Sequence, residues 1–123
     1  MTFTKLSILA LLIGATPVTL ASQYKFVATD KDPNTKICIA AAENNLLRYM
    51  RLVKHHGFTY QVIADHLKCN EQNIADFAYS FSSTRTAKFI DAYRKDSTSF
   101  SNVAVHSPSQ INQGVKVIYI TAK

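Results

Sequence analysis

Glycine and cysteine are scarce in this chain, whose 123 residues include three glycines, two cysteines and no tryptophan. No Gly-x-Ser-x-Gly segment marks the nucleophile of a hydrolase, and no Cys-x-x-Cys segment marks a thiol oxidoreductase. The eight acidic residues are scattered, so no carboxylate pair for acid–base chemistry can be identified. We therefore predict that the protein is not an enzyme and carries no cofactor.

Long apolar runs are absent except at the amino terminus. Residues 6–13 follow the single charge of Lys5 and form an apolar run too short to span a bilayer, which requires about 20 residues. The small side chain of Ala21 suits a signal-peptidase cleavage site. We predict that residues 1–21 are a secretory signal and that residues 22–123 form one domain in the periplasm or the secreted fraction. A buried N-terminal helix is the alternative, and it is an uncommon core element.

Basic residues outnumber acidic ones by 14 to eight, which gives a net charge of +6. Lys5 leaves with the predicted signal, so the charge of the remaining domain falls by one, to +5. Such a balance fits an anionic partner, and it equally fits simple solubility. We favour solubility because the basic residues are spread along the chain without a run of five or more.

A short strand and a long helix are predicted for the first part of the domain. Side chains alternate between two faces over residues 22–29, which indicates a strand. Asp32 suits a helix N-cap, Pro33 the first helical position, and Gly57 the position after the helix end. Residues placed at about 100° intervals between these marks form an amphipathic helix whose apolar half contains Cys38.

The polar half of this helix carries the candidate binding residues. Arg48, Arg51 and Lys54 lie on it and offer a basic surface to an acidic protein or a membrane surface. Asn45 falls within the apolar half, where a buried amide needs hydrogen-bond partners. Asn45 is therefore either a satisfied structural residue, which we favour, or part of a site.

Three shorter helices are expected to follow. Thr59 is predicted to cap the second helix, which ends near Leu67 and leaves Cys69 in the connecting turn. Asn70 is predicted to cap the third helix and Ser83 the fourth.

Beyond Lys95 the apolar period changes from 3.6 residues to two. Residues 103–105 are predicted to form a strand, with a turn at 107–108. Residues 115–121 form a second strand that is apolar on both faces and therefore covered and central, with residues 24–28 as a further neighbour. The predicted fold class is α+β: a helical body of about four helices, a small antiparallel sheet from the chain ends, and one disulfide.

The predicted disulfide joins Cys38 and Cys69, which stand 31 residues apart in the sequence. A distant pair in an exported protein favours a structural cross-link over a reactive thiol. The loop-entropy model gives such a link about 3.5 to 4 kcal/mol of stabilisation.

Residues 60–81 have the rhythm of a DNA-binding helix-turn-helix, with the small Ala64 where two helices approach each other. Three features oppose this reading. Export removes the protein from DNA, Lys68 occupies the turn where glycine is often found, and Glu71 and Asp76 would repel phosphates. We interpret the segment as two packed helices, keep DNA binding as an alternative, and do not expect nucleic acid as a partner.

The histidines support a second alternative. His55 and His56 are adjacent, so on a helix their side chains point about 100° apart and do not easily reach one metal. A metal-binding or enzymatic protein built on these residues, His66 and Asn45 is the rival hypothesis, although the spacing carries no zinc signature. We favour solvent-exposed histidines.

Three segments carry a family resemblance: Thr-Lys-Ile-Cys-Ile-Ala-Ala-Ala-Glu-Asn-Asn-Leu at residues 35–46, Leu-Lys-Cys-Asn at 67–70, and Ile-Ala-Asp-Phe-Ala at 74–78. They resemble a family of small exported Gram-negative bacterial proteins classed as a domain of unknown function, over about residues 26–79. The resemblance implies paired cysteines and a periplasmic or secreted setting. It implies no activity, cofactor or catalytic residue.

The sequence thus favours an exported, non-enzymatic binding or structural module. Its expected partner is an acidic protein or a membrane surface, bound through Arg48, Arg51 and Lys54.

Overall fold

The computed structural model describes residues 24–97, 99–106 and 115–123. The predicted secretory signal and the predicted turn at 107–108 lie outside these ranges. Within them, five α-helices and two small sheets agree with the predicted α+β class, with one helix more than the four expected. In chain order the elements are β1 (Tyr24–Ala28), α1 (Pro33–Ala42), α2 (Leu46–His55), α3 (Tyr60–His66), β2 (Lys68–Cys69), β3 (Gln72–Asn73), α4 (Ile74–Ser80), α5 (Thr84–Asp91), a 3₁₀ turn (Phe100–Asn102) and β4 (Lys116–Ile120).

Helix α1 lies at the centre of the fold, and from Ile37 onward it is buried on every side. Residues 37–42 are all buried, and a helix that is apolar all round is typical of a core element. Its run of three alanines ends at Ala42 and lets neighbouring backbones approach closely. Helices α2, α4 and α5 and both terminal strands contact it. The helix begins as predicted at Asp32, whose carboxylate accepts a hydrogen bond from the N–H of Asn34 at 2.9 Å.

The long helix expected from the sequence is in fact two helices, which corrects that prediction. Helix α1 ends just before Asn44, which adopts a left-handed φ of 57°. Helix α2 begins after Asn45, whose side-chain oxygen accepts a hydrogen bond from the N–H of Arg48 at 3.1 Å. Asparagine tolerates the left-handed conformation and is a preferred N-cap. The two adjacent asparagines therefore end one helix and begin the next.

Cys38 of α1 and Cys69 of β2 form a disulfide, which confirms the predicted pairing. Their Cα atoms are 5.8 Å apart, and both residues are fully buried. Helix α3 begins as predicted after Thr59, whose hydroxyl accepts a hydrogen bond from the N–H of Val62 at 3.2 Å, and it ends before Leu67. Cys69, however, lies in a short strand and not in a turn.

A tight hairpin follows α3 and replaces the helix cap predicted at Asn70. Strands β2 and β3 pair antiparallel, and the turn residues Asn70 and Glu71 both have left-handed φ values, 48° and 67°. Positive φ at both central residues is the mark of a type I′ turn. The cap of α4 is instead Asn73, whose Oδ1 accepts a hydrogen bond from the N–H of Ala75 at 2.9 Å.

The chain ends pair in parallel, whereas an antiparallel sheet was predicted. The register of β1 and β4 places Phe26 opposite Ile118. The residues after β4 then reach the hairpin, where Ala122 forms an antiparallel bridge with Cys69. The end of β4 therefore lies between β1 and the hairpin, and it links the terminal strands to the disulfide.

Strand β4 is not the covered, central strand that we predicted. One face packs on the core, with Ile120 buried and Ile118 half-buried. On the other face Val115, Val117 and Tyr119 are 59%, 44% and 65% exposed. The apolar pattern on both faces was read correctly, but the conclusion that both faces are covered was wrong.

The strand predicted at residues 103–105 is also wrong. Residues 103–106 follow the 3₁₀ turn without regular secondary structure, and His106 holds them to the body through its N–H, which donates to the carbonyl of Ser80 at 2.7 Å. None of the helices in the described ranges combines the length and the apolar character that crossing a bilayer requires.

Candidate binding surface

Helix α2 is amphipathic and is anchored to the core by Tyr49 and Val53, which are fully buried. Residues three apart differ by about 60° around a helix, so the three predicted cations form a band on the side opposite these anchors. Arg48, Arg51 and Lys54 are all exposed. The structure therefore brings the predicted basic residues together on one outward surface.

An apolar side chain lies within this band. Leu47 is 69% exposed, and it lies one turn before Arg51 and two turns before Lys54 on the same side of α2. We call Leu47, Arg48, Arg51 and Lys54 the basic face.

Two of the three cations on the basic face lack a carboxylate partner in the described part of the chain. Arg48 is paired with Glu43, with 3.3 Å between guanidinium and carboxylate, and an exposed pair of this kind contributes at most about 1 kcal/mol. Arg51 and Lys54 have no such pair there. The ammonium of Lys54 instead lies 5.9 Å from the ring centre of Tyr60, which is within cation–π range.

Asn45 is not part of the basic face and is not buried. It is exposed, and its side chain is occupied as the N-cap of α2. Its capping hydrogen bond agrees with the structural reading that we favoured, whereas the expected burial was wrong. The angular count assumed one continuous helix, and the break at residues 43–45 changes the direction in which Asn45 points.

The histidines do not converge. The rings of His55 and His56 touch edge to face with 4.9 Å between centroids, while His66 lies on α3 beside a surface cleft of about 530 Å³. Within residues 24–97, 99–106 and 115–123, no group of three or more histidine, cysteine or acidic side chains is arranged to hold a metal ion.

Arg94, which lines the same cleft, belongs to an ion-pair cluster that sequence reasoning missed. Arg94 donates to the carboxylates of Asp76 at 3.2 Å and Asp91 at 3.4 Å, and all three side chains are largely buried. The spacing of Asp91 and Arg94 was a local signal for one of these pairs. Asp76 lies on another helix, so only the tertiary structure brings it to Arg94.

An aromatic cluster underlies the basic face. The rings of Tyr49 and Tyr60 stack with 6.4 Å between centroids, and within the described structure neither buried hydroxyl has a hydrogen-bond partner. Burial, reinforced by Tyr60 and Tyr93, raises the pKa of the Tyr49 hydroxyl well above its ordinary value of 10. Tyr49 therefore keeps its proton at neutral pH, and we assign the cluster to packing beneath α2.

The segment with a helix-turn-helix rhythm does not have that geometry. Helices α3 and α4 are separated by residues 67–73, which contain the hairpin, whereas the motif joins its helices by a turn of about three to four residues. Asp76 lies in the helix that would contact DNA, and its carboxylate forms an ion pair with Arg94. We therefore do not propose a DNA-binding role.

A comparison with protein families shows which family this chain belongs to. A family model described as "protein of unknown function (DUF3718)" matches residues 37–105, more than half of the chain. The chain belongs to the DUF3718 family. No curated protein and no solved structure matches it. The resemblance predicted over about residues 26–79 is thereby confirmed as membership of a family of unknown function.

The DUF3718 region contains all five described helices except the first turn of α1, together with both cysteines and the whole basic face. Strands β1 and β4 lie outside it.

Proposed function

We propose that this DUF3718 protein is an exported, non-enzymatic binding module that docks an acidic protein through the basic face of α2. The observation that carries the proposal is the arrangement of Leu47, Arg51 and Lys54. Two exposed cations without carboxylate partners in the described structure flank an exposed leucine on a helix that the core holds rigidly. Arginine is enriched among the residues that dominate binding energy at protein interfaces.

The magnitudes favour a protein over a membrane as the partner. Near an anionic bilayer the three cations would contribute about 3 kcal/mol, and partial burial of Leu47 about 1 to 2 kcal/mol. The sum of about 4 to 5 kcal/mol corresponds to a dissociation constant of about 0.2 to 1 mM, which is too weak for stable attachment. A shaped acidic pocket on a protein can desolvate the leucine and pair both free cations, and an arginine that acts as a hot spot contributes about 2 kcal/mol or more.

Poly-L-glutamate is a suitable first probe, because it presents carboxylates on a polypeptide. We expect the wild-type protein to bind it at low ionic strength and to lose affinity as salt screens the charges. The variant Arg48→Glu/Arg51→Glu should lose binding. The matched control is Arg85→Glu/Lys88→Glu, which makes the same change in net charge at exposed positions on α5.

Equal loss of binding in both double variants would mean that net charge, and not the basic face, is responsible, and the proposal would be wrong. Binding that is insensitive to salt would also contradict it. Vesicles containing about one third phosphatidylglycerol test the rival partner, because binding to vesicles with about 0.2 mM affinity or weaker agrees with the sum above. Substantially tighter binding to vesicles than to poly-L-glutamate would transfer the basic face to a membrane role.

A further inference from the structure

The cleft beside His66 and the ion-pair cluster of Arg94 gather carboxylates in one place on this basic protein. Together they contain half of the eight acidic residues of the chain: Asp65, Asp76, Asp91 and Asp96. Two cations accompany them, Arg94 and Lys95. Four carboxylates against two cations give this region a net charge of −2, whereas the whole chain has a net charge of +6.

Asp65 and Asp96 are the carboxylates of this region that remain open to a partner, because Arg94 is paired with the two others. One oxygen of Asp65 accepts a hydrogen bond from the N–H of Lys95 at 2.7 Å, and its second oxygen has no such bond within the described ranges. Asp96 is exposed, and it has no ion pair in that part of the chain. A cation that approaches the cleft therefore finds two carboxylates that Arg94 does not neutralise.

A smaller, mostly apolar depression of about 190 Å³ adjoins the cleft, because Val62 and His66 line both. Val62 is 48% exposed, so apolar surface is open to solvent where the two meet. The apolar side chains of the depression come from Phe58, Val62, Ile63 and Leu67. An apolar site thus lies next to two carboxylates, just as Leu47 lies next to the cations of the basic face.

The cleft and the depression are complementary to the basic face in charge and in apolar character. From this match we infer that the acidic protein bound by the basic face is a second copy of this chain. Leu47 of one copy enters the depression of the other, and the cations of its basic face meet Asp65 and Asp96. The inference rests on the proposed function and names the partner of the basic face. Complementary charges of this kind steer the encounter and fix its orientation.

The spacing of residues along the two helices fits this arrangement. An α-helix rises by about 1.5 Å per residue, so Leu47 and Arg51 lie about 6 Å apart along α2. Val62 and Asp65 lie about 4.5 Å apart along α3 by the same measure. When Leu47 lies against Val62, Arg51 is therefore close to Asp65, and the long arginine side chain takes up the small difference in spacing.

Two lysines lie near the contact. Lys95 lines the cleft, Lys123 lines the depression, and both are exposed. A lysine carries its ammonium on a flexible four-carbon stem, so both charges can turn toward solvent when another cation approaches. Arg94 is held in place, but its two carboxylate partners offset its charge. The cations on this side of the contact therefore do not prevent docking.

Sedimentation of the protein purified from cells expressing the full chain tests the inference over about 0.01 to 1 mM, which covers the dissociation constants of weak complexes. Two different surfaces meet, so the interface is heterologous, and association continues beyond two copies or closes into a ring. We expect the wild type to associate reversibly as its concentration rises. A wild-type protein that binds poly-L-glutamate but remains monomeric at about 1 mM would overturn the inference and leave the proposed function standing.

The decisive variants each alter one of the two surfaces. Arg48→Glu/Arg51→Glu alters the basic face, and Val62→Lys/Asp96→Lys alters the cleft and the depression. Each alone should weaken association at least about tenfold, because like charges then meet. An equimolar mixture should recover the wild-type contact, because the unaltered basic face of the second variant meets the unaltered cleft of the first. The second variant should also still bind poly-L-glutamate, since its basic face is intact.

Matched controls make the same changes in net charge at other exposed positions. Arg85→Glu/Lys88→Glu matches the first variant, and Glu71→Lys/Asn102→Lys matches the second. Both controls should associate like the wild type. Equal weakening in the controls would mean that net charge is responsible and that the inference is wrong. A mixture of the two surface variants that fails to associate, although both are folded by circular dichroism, would also overturn it.

Discussion

The side-chain oxygen of Asn44 accepts hydrogen bonds from both the N–H and the hydroxyl of Thr86, at 3.1 and 3.2 Å. Thr86 is in the first turn of α5, where backbone N–H groups need acceptors. Ser83 stands at the predicted N-cap position, but its hydroxyl donates to the carbonyl of Ala42 and makes no cap bond. Asn44, which lies in the connection between α1 and α2, thus caps α5 and links that helix to the first part of the chain.

Substitution of Asn44 should separate the backbone and side-chain parts of this role. Asn44→Ala loses the bonds to Thr86 and forces alanine into a left-handed φ, so we expect a loss of about 2 to 4 kcal/mol in the free energy of unfolding. Asn44→Gly keeps the conformation at little cost and should recover about 1 kcal/mol of that loss. Urea denaturation measures both. Equal stability of the two variants would show that the left-handed backbone at this position is not costly.

Reduction of the Cys38–Cys69 disulfide should lower the free energy of unfolding by about 3.5 to 4 kcal/mol. The link closes a loop of 31 residues between the central helix and the hairpin, and both residues are fully buried. Thermal melts with and without reductant provide the measurement. The Cys38→Ala/Cys69→Ala variant serves as the control, because reductant should not change its melting temperature. An unchanged melting temperature for the reduced wild type would show that the disulfide does not stabilise the fold.

Glu71→Gly should stabilise the protein by about 0.5 to 1 kcal/mol. Glu71 is exposed and has a φ of 67° in the type I′ turn, a position where glycine avoids a steric cost of about 1 to 2 kcal/mol. Part of this gain is offset by the greater freedom of glycine in the unfolded chain. Glu71→Ala is the matched control and should give no gain, because alanine keeps the Cβ. Chemical denaturation of the three proteins distinguishes these outcomes.

His106 should make stability depend on pH. Its ring stacks on Phe81 with 4.4 Å between centroids, and the partial burial of this ring, together with nearby Lys116, lowers its pKa below the ordinary 6.5. The unfolded chain then binds a proton more readily than the native one. The contribution of His106 is fully present above pH 6.5 and is lost as pH falls through the lower folded pKa.

The variant His106→Gln provides the measurement, because it cannot titrate. The difference in unfolding free energy between wild type and His106→Gln should shrink or reverse on acidification from neutral pH to below the folded pKa of His106. A difference that stays constant with pH would show that the ring is equally easy to protonate in both states.

Several elements were predictable because their signals are local. The caps at Asp32 and Thr59 each act on residues two or three positions away, so a short window of sequence contains both partners. The break within the predicted long helix was also locally encoded, in Asn44 and Asn45. It was missed because the angular count was carried across the asparagine pair as if the helix continued.

The basic face also has one property that the local sequence predicts and another that depends on the tertiary fold. The clustering of Arg48, Arg51 and Lys54 follows from helical spacing, and the structure places all three on the outward side of α2. Their lack of carboxylate partners in the described structure depends on which acidic residues fold nearby. Arg94 shows the opposite case, since two carboxylates from different elements surround it.

By itself, the sequence determined the α+β class, the buried position of Cys38, the clustering of the three cations of the basic face and the apolar character of β4 on both faces. These are properties of residues within one element, set by capping chemistry and side-chain periodicity. Only the tertiary structure decided that the chain ends pair in parallel, that Asn44 caps α5, that the Asn70 side chain donates a hydrogen bond to the carbonyl of Tyr119 in β4, and that one apolar face of β4 stays exposed. The first three depend on contacts between residues more than 40 positions apart, and the exposure of the apolar face depends on which segments fold against β4, so no local pattern specifies any of them.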